Sequence, residues 1–146
     1  MTSDPDVLRF IGRQPLSRED VWGRLLRYAG HWALLGHGIF AVIEKETGLF
    51  VGETGLADCR RGLGAQFDGV AEAAWVFARR AQGLGYGTEA AAAAHRWHDG
   101  TQGRARTVCL IHPENGASLR LAQKLGYQAF DRCTYKDDPA IMLERL

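Results

Sequence analysis

The sequence is poor in cysteine and has no long apolar run. Its three cysteines, Cys59, Cys109 and Cys133, are odd in number and widely spaced, which favours neither a disulfide framework nor a zinc site. No apolar stretch approaches the length needed to cross a membrane, and the first residues lack the basic and apolar regions of a signal peptide. We therefore expect a cytoplasmic protein with no metal site and no membrane partner.

An excess of one charge is also absent. The chain has 18 lysines and arginines against 17 aspartates and glutamates, a formal net charge of +1, whereas nucleic-acid-binding domains are typically strongly basic. We therefore expect no nucleic-acid partner. The length of 146 residues and a hydrophobic fraction of 46% indicate one globular domain over residues 1–146.

Hydrophobic periodicity predicts a mixed α/β fold. Three helices are expected, and their predicted starts and ends are Ser17 to Gly30, Thr88 to Gly100, and Asn115 to Gly126. The first helix carries apolar residues at helical spacing, and its Trp22 is expected in the core. Strands are predicted at residues 39–43, 49–56, 70–77, 107–111, 127–135 and 140–143, with a loop at 57–69 and a turn at 137–139.

Glycine alternates with other residues in the segment Gln82–Thr88, between a predicted strand and an alanine-rich helix. Without β-carbons, backbone N–H groups can point into one small concavity, to which the following helix adds its positive end. With Arg79 and Arg80 nearby, the segment predicts a pyrophosphate site, although a plain strand-to-helix turn has the same composition. It has no lysine for a P-loop, and its glycine spacing does not fit a dinucleotide fingerprint.

A second motif runs from His112 to Tyr127. Asn115 follows a predicted strand as a helix N-cap, Ser118 stands one helical turn later, and Leu-Gly-Tyr closes the helix. Taken alone, these residues indicate a capped helix. Their order after the glycine-rich segment is more distinctive than either motif by itself.

The two motifs together resemble the GNAT superfamily, in particular the branch that includes ribosomal-protein N-acetyltransferases. Gln82–Gly87 matches the family pattern Gln/Arg-x-x-Gly-x-Gly/Ala, as does Arg80–Gly85 in a second register. Gly85–Ala90 matches Gly-Tyr-Ala/Gly-Thr-Glu-Ala, and Pro113–Tyr127 matches Pro-Glu-Asn-x-x-Ser-x-x-x-x-x-Lys-Leu-Gly-Phe/Tyr. The resemblance extends over residues 17–146.

This resemblance implies a mostly antiparallel central sheet with splayed parallel strands in the middle, helices on both faces, and no counterpart of the usual first strand. Acetyl-CoA would bind as co-substrate between the splayed strands, residues 70–77 and 107–111. Its pantetheine would meet the first of these strands, its pyrophosphate the glycine turn, and its acetyl end the second motif. The implied binding residues are Val76, Phe77, Gln82, Gly83, Leu84, Gly85, Tyr86, Gly87, Thr88, Asn115 and Ser118.

The resemblance also implies direct acetyl transfer to a primary amine, such as a protein N-terminus or a small amine. An amine with a pKa of about 10 is protonated near neutral pH, so a base must take its proton. Glu72, in the strand that would line the acyl site, is the preferred base, and Glu53 in the preceding strand is the rival. Ser118 is a candidate donor to the leaving thiolate, because Ala122 stands where many family members carry a tyrosine.

Each of these residues also has a plain structural interpretation. Glu72 could be a carboxylate on the solvent side of its strand, and Ser118 a helix hydroxyl that is already satisfied. Tyr127 and the four tryptophans are expected to pack in the core, with Trp75 next to the acyl site. Solvated positions are expected for His31 and His37.

Two questions of function and assembly stay open at this stage. A non-catalytic CoA-binding or sensing module would keep the same binding residues, and another anionic nucleotide could occupy the glycine turn. Cys109 reads as a core residue, so no covalent enzyme intermediate is expected. A missing first strand would leave an open sheet edge, and we therefore expect a homodimer.

Overall fold

The structure, a computed structural model, describes residues 1 and 3–146. In this part of the chain the helices are α1 (Pro5–Leu8), α2 (Arg18–Leu35), α3 (Tyr86–Gln102) and α4 (Gly116–Lys124), with a 3₁₀ turn at Arg79–Ala81. The strands are β1 (Ile39–Ile43), β2 (Phe50–Ala57), β3 (Glu72–Phe77), β4 (Thr107–Ile111), β5 (Gln128–Tyr135) and β6 (Asp138–Arg145). None of these helices is long and apolar enough to span a bilayer.

The six strands form one sheet in the order β1-β2-β3-β4-β6-β5. Neighbouring strands are antiparallel except β3 and β4, which are parallel and lie in the middle. Helices α3 and α4 pack on one face, and α2 contacts the opposite face through Glu53 of β2. The predicted fold class is confirmed.

Helix α2 begins as its sequence predicts and ends later. Ser17 and Asp20 form a reciprocal capping box, in which each side chain accepts from the other residue's backbone N–H. The predicted end at Gly30 is wrong, because the helix continues to Leu35 and is capped by Gly36. An internal glycine costs a helix only about 1 kcal/mol. Contacts beyond it hold the last turns, including a 3.0 Å hydrogen bond from the Trp32 indole to the Ile39 carbonyl.

The side of α2 that meets the sheet is not its apolar side. Arg24 and Tyr28 reach Glu53 on β2, whereas Trp22, Leu25 and Leu26 are each more than half exposed. The expectation that Trp22 lies in the core is therefore wrong. Helical periodicity located an apolar stripe, and the hydrogen-bonding side chains on another stripe determined how the helix is oriented on the sheet.

The predicted boundaries of α3 and of the last hairpin also shift. Helix α3 starts at Tyr86 and runs through Gly100 to Gln102, so the predicted end at Gly100 is wrong. The turn predicted at residues 137–139 lies one residue earlier, since Tyr135 pairs with Asp138 and only Lys136 and Asp137 connect β5 to β6. Both connecting residues have positive φ, 49° and 66°, as a type I′ hairpin turn requires.

The main core lies between the sheet and helices α3 and α4. It gathers buried side chains from five elements and from Tyr127, which directly precedes β5: Leu56, Ala73, Cys109, Ile111, Ala122, Tyr127, Ile141 and Leu143. The Tyr127 hydroxyl lies 2.8 Å from His95 Nε2 and 2.8 Å from Thr107 Oγ1. His95 Nδ1 faces the Ala91 carbonyl at 2.7 Å, so Nδ1 carries the proton and Nε2 accepts from Tyr127. Tyr127 packs in the core, as expected.

Gly55 lets the segment before β1 approach β2 closely. A Cβ at this position would lie 2.2 Å from the Gly38 carbonyl oxygen and 2.9 Å from the Ile39 Cα. Both atoms belong to backbone, so the added methyl group cannot be accommodated by rotating a side chain. The first two strands and the end of α2 therefore depend on glycine at this site.

We predict that Gly55→Ala lowers the free energy of unfolding by about 1–3 kcal/mol, because the added carbon overpacks the backbone. Gly100→Ala is the matched control. Gly100 lies in an exposed turn of α3 with open space around it, and the same substitution there should stabilise by up to about 1 kcal/mol. Urea unfolding of both variants measures the difference, and equal effects at the two sites would contradict the packing described here.

Candidate active site

Strands β3 and β4 form a wedge in the middle of the sheet. The structure pairs them at one position, Glu72 with Val108, and the Val108 N–H donates to the Ala71 carbonyl at 3.0 Å. Beyond this pair β3 continues to Phe77 and β4 to Ile111 without a further pair between the described residues. The backbone groups that face the wedge are therefore free to bind a ligand.

The register decides which residues of β3 face the wedge. The Ala78 N–H bonds to the Val51 carbonyl on β2, and pairing with β2 alternates along the strand. The backbone N–H and C=O of Val76 therefore face β2, opposite Glu53. The backbone of Trp75 and Phe77 points toward β4. Phe77, a predicted binding residue, therefore faces the wedge with its backbone, as does Trp75, whereas the backbone of Val76 faces β2. The binding role of each stays a prediction.

The glycine turn closes the open end of the wedge. Gly83 and Gly85 have φ of 75° and 84°, a region that residues with a side chain rarely adopt. The Gln82 side-chain amide donates to the Phe77 carbonyl at 3.1 Å, which ties the turn to the end of β3. Gln82, Gly83, Leu84, Gly85 and Thr88 are exposed, while Tyr86 and Gly87 are half-buried. As at any helix N-terminus, the first amides of α3 have no partner within the helix.

The side chains around this turn are engaged elsewhere. Arg79 forms a 2.6 Å ion pair with Asp6 of α1, and Arg80 donates to the Phe50 carbonyl. The Tyr86 hydroxyl donates to Glu44 at the end of β1. An anion at the turn would therefore meet backbone amides and the helix dipole first, and arginine charge only at a distance.

The second motif borders the wedge on the side of β4. Asn115 caps α4, and its Oδ1 accepts from the Ser118 N–H at 3.2 Å. The Ser118 hydroxyl accepts a 3.2 Å hydrogen bond from the indole N–H of Trp75 on β3. Asn115 and Ser118 are both half-buried. The structure thus brings Ser118 to the strand that the sequence analysis placed beside the acyl group.

Glu72 is buried and fully paired. Its side chain lies at the closed end of the wedge, and both carboxylate oxygens accept from Arg61 Nε, at 2.9 and 2.8 Å. Arg61 Nη2 adds a third contact of 2.7 Å, and the guanidinium carbon lies 4.9 Å from the centre of the Tyr135 ring. Both carboxylate oxygens are thus engaged by one guanidinium. Glu72, which the sequence analysis prefers as the base, therefore has the environment of a structural ion pair.

Glu53 is held by one oxygen only. Its Oε1 accepts from Arg24 Nη2 and, at 2.8 Å, from the Tyr28 hydroxyl, whereas among the described residues Oε2 has no recorded partner. Burial raises the pKa of Tyr28 to about 12, so this hydroxyl stays protonated as a donor. Glu53 lies opposite Val76 on β3 and on the same sheet face as Glu72, four residues farther along the strand direction. That spacing is about 13 Å.

Sequence reasoning missed the partners of these two acids. Arg24, Tyr28 and Arg61 lie 11 to 29 residues away from their carboxylates, and no motif marks them.

The positions of two histidines were also predicted wrongly. His31 and His37 are half-buried, and their rings bond to the carbonyls of Asp58 and Leu56 at 2.9 and 2.8 Å rather than to solvent. No cluster of three metal-binding side chains occurs in residues 1 and 3–146.

Comparison with known proteins agrees with this geometry. The family model for the acetyltransferase (GNAT) domain matches residues 1–128. The uncharacterised protein YkkB of Bacillus subtilis (strain 168) is 31% identical over 146 residues, covering 98% of this chain and 80% of that protein. A solved structure of a Bordetella pertussis protein assigned to the GnaT family is 34% identical, covers 97% of this chain and 85% of its own, and superposes with a TM-score of 0.90.

A more distant structure shows the same fold with ligands. The aminoglycoside acetyltransferase AAC(6')-Ib, solved with coenzyme A and kanamycin, is 18% identical, covers 99% of this chain and 84% of its own, and has a TM-score of 0.74. The extent of the family match and the 34% identity to the Bordetella pertussis structure are sufficient to assign the chain. The resemblance to the GNAT family is confirmed, and the chain belongs to this family of acetyltransferases.

Proposed function

We propose that the protein transfers an acetyl group from acetyl-CoA directly to a primary amine, with Glu53 as the assisting base. The single observation that carries this proposal is the wedge between β3 and β4, which is paired only at Glu72 and Val108 and is closed by the glycine turn. The pantetheine arm of acetyl-CoA is linear and ends in a pyrophosphate. It fits a slot that is lined by unpaired backbone groups and ends at a helix N-terminus.

Acetyl-CoA supplies an activated acyl group, and the protein supplies its placement. Backbone groups of Trp75 and Phe77 would bind the pantetheine, and the amides of Gly83 to Thr88 would bind the pyrophosphate. The Gln82 side chain would hold the turn, while Asn115 and Ser118, on the face of α4, would border the thioester sulfur. A wedge-facing N–H aimed at the thioester oxygen would stabilise the charge that builds there as the amine attacks.

The acceptor would approach from the face covered by α2. The pyrophosphate turn leads into α3 on the other face, so a ligand that passes through the wedge presents its acyl group toward α2. On that face Glu53 Oε2 is the free carboxylate oxygen beside β3. It would accept the proton of the attacking amine, directly or through one water. The amine nitrogen then forms the new bond to the acyl carbon, and the carbon–sulfur bond breaks.

The leaving thiolate would be met by Ser118. A hydrogen bond from its hydroxyl stabilises the negative charge on sulfur, and the thiolate takes its proton from water on release. Ala122, at the position where many relatives carry a tyrosine, is completely buried. It therefore offers neither a donor nor access to the wedge, and Ser118 is the hydroxyl that borders it.

Two finer statements complete the proposal. We place the reaction in the cytoplasm, since the three cysteines are all free thiols and disulfides are rare in that compartment.

We also propose a homodimer. Its support is the exposed apolar stripe on α2, formed by Trp22, Leu25 and Leu26, together with the position of β1 at the edge of the sheet.

The transfer is tested by following thiol released from acetyl-CoA with a panel of amines, including peptides with free N-termini and kanamycin. We expect turnover that requires an amine. Glu53→Gln should lower kcat/KM by about 100-fold or more, the usual size of a general-base effect, while coenzyme A binding is retained. Glu72→Gln should mainly lower the free energy of unfolding, because it leaves Arg61 as an uncompensated buried charge.

Glu46→Gln is the control for the charge change, since Glu46 lies in the exposed turn between β1 and β2. All rates are expressed per molecule of enzyme that binds coenzyme A. If Glu72→Gln removes the rate with unchanged stability and Glu53→Gln does not, Glu72 is the base and the present assignment is wrong. Binding of coenzyme A without turnover of any amine would indicate a sensing module instead.

Sedimentation equilibrium tests the homodimer. We expect twice the chain mass of 16.1 kDa, reduced to the monomer mass by Leu26→Glu, because a charge in the apolar stripe would be buried without a partner. A monomer of the wild-type protein at high concentration would refute the dimer and leave the enzymatic proposal intact.

A further inference from the structure

One hydrogen bond crosses the open end of the wedge. Trp75 lies on β3, and Ser118 lies in the first turn of α4, which follows β4. The indole nitrogen of Trp75 is 3.2 Å from the Ser118 hydroxyl oxygen. Trp75 is only half-buried, although it packs against the main core. Strand β3 and the helix that follows β4 are therefore connected at this point by a pair of side chains.

The chemistry of the two groups fixes the direction of this bond. An indole N–H can only donate, so the Ser118 oxygen must accept. The backbone N–H of Ser118 is used in the cap with Asn115, which holds the residue in place. Within the described residues the hydroxyl proton of Ser118 has no recorded acceptor. With one lone pair of the oxygen occupied by the indole, this proton is turned away from Trp75.

We propose that Trp75 is a positioning residue for acetyl transfer, which orients the Ser118 hydroxyl so that its proton points at the leaving sulfur. This inference rests on the proposed function. When the amine nitrogen bonds to the acyl carbon and the carbon–sulfur bond breaks, the sulfur leaves as a thiolate. The amine proton goes to Glu53 or to water, and the thiolate receives a hydrogen bond from a hydroxyl that needs no reorientation at that moment.

A preoriented hydroxyl contributes to the transition state because it costs no reorganisation. A serine hydroxyl that rotates freely would also be drawn to helix carbonyls one turn before it, as serines within helices often are. The indole hydrogen bond holds the oxygen on the side of β3, which opposes rotation of the side chain toward those carbonyls. Trp75 thus acts through Ser118 and would matter little in a protein that lacks the serine hydroxyl.

A double-mutant cycle tests this dependence. We expect Ser118→Ala to lower kcat about 100-fold and Trp75→Phe, which keeps an apolar ring but loses the N–H, to lower kcat about 3- to 10-fold. The KM for acetyl-CoA should change less than about threefold in both variants, because the interaction operates in the transition state. In the double variant kcat should equal that of Ser118→Ala within about twofold.

Trp97→Phe is the matched control, since Trp97 packs against Trp32 and Phe40 away from the wedge, and it should keep the wild-type kcat. Losses that multiply in the double variant, or a Trp75→Phe variant with wild-type kcat, would overturn the positioning role while acetyl transfer stands. A wild-type protein that binds no coenzyme A and turns over no amine would overturn the proposed function and this inference together.

Discussion

The divergence of β3 and β4 is the constraint on which the rest of the site depends. A buried strand normally has its N–H and C=O groups paired with its neighbours. Here the two central strands pair only at Glu72 and Val108, so the groups beyond that point need another partner. The glycine turn and the N-terminus of α4 stand at the open end of the same wedge. A ligand that is both linear and anionic at one end meets all of these requirements at once.

The ion pair of Glu72 and Arg61 stabilises the closed end of the wedge. The carboxylate is buried at the last paired position, and its guanidinium partner comes from the loop between β2 and β3. Removing either partner would leave a buried charge without compensation. This arrangement explains how a buried glutamate is accommodated at the start of a central strand. It also leaves Glu53, which is tied down by one oxygen, as the carboxylate with free capacity on the face of α2.

Local chemistry in the sequence was sufficient for much of the fold. The strand at residues 107–111 and the N-caps Ser17 and Asn115 were predicted correctly, because caps and short buried strands are determined by nearby residues. The ends at Gly30 and Gly100 were wrong, since the cost of a helical glycine is small beside the contacts of the residues that follow. The orientation of α2 was also missed, because periodicity cannot tell which stripe the sheet selects.

The place of the candidate site in the fold could be predicted in outline, whereas the partners of its acidic residues could not. Two motifs located the wedge, the turn and Ser118. The side chains that favour Glu53 over Glu72 as the proposed base are Arg24, Tyr28 and Arg61, which approach from distant parts of the chain. The strand register, which turns the backbone of Trp75 toward the wedge and that of Val76 toward β2, is set in the same way. Such pairings come from tertiary contacts that no single-sequence pattern records.

The central claim is that the wedge and its glycine turn bind acetyl-CoA, and ligand-dependent unfolding tests it most directly. Acetyl-CoA at about 100 times its Kd should raise the free energy of unfolding by about 2.7 kcal/mol, and ATP and NAD at equal concentration should have much smaller effects. A rise with acetyl-CoA alone is the result that the structure predicts. The same rise with ATP or NAD, or no rise with any of the three in a cooperatively folding sample, would contradict the claim.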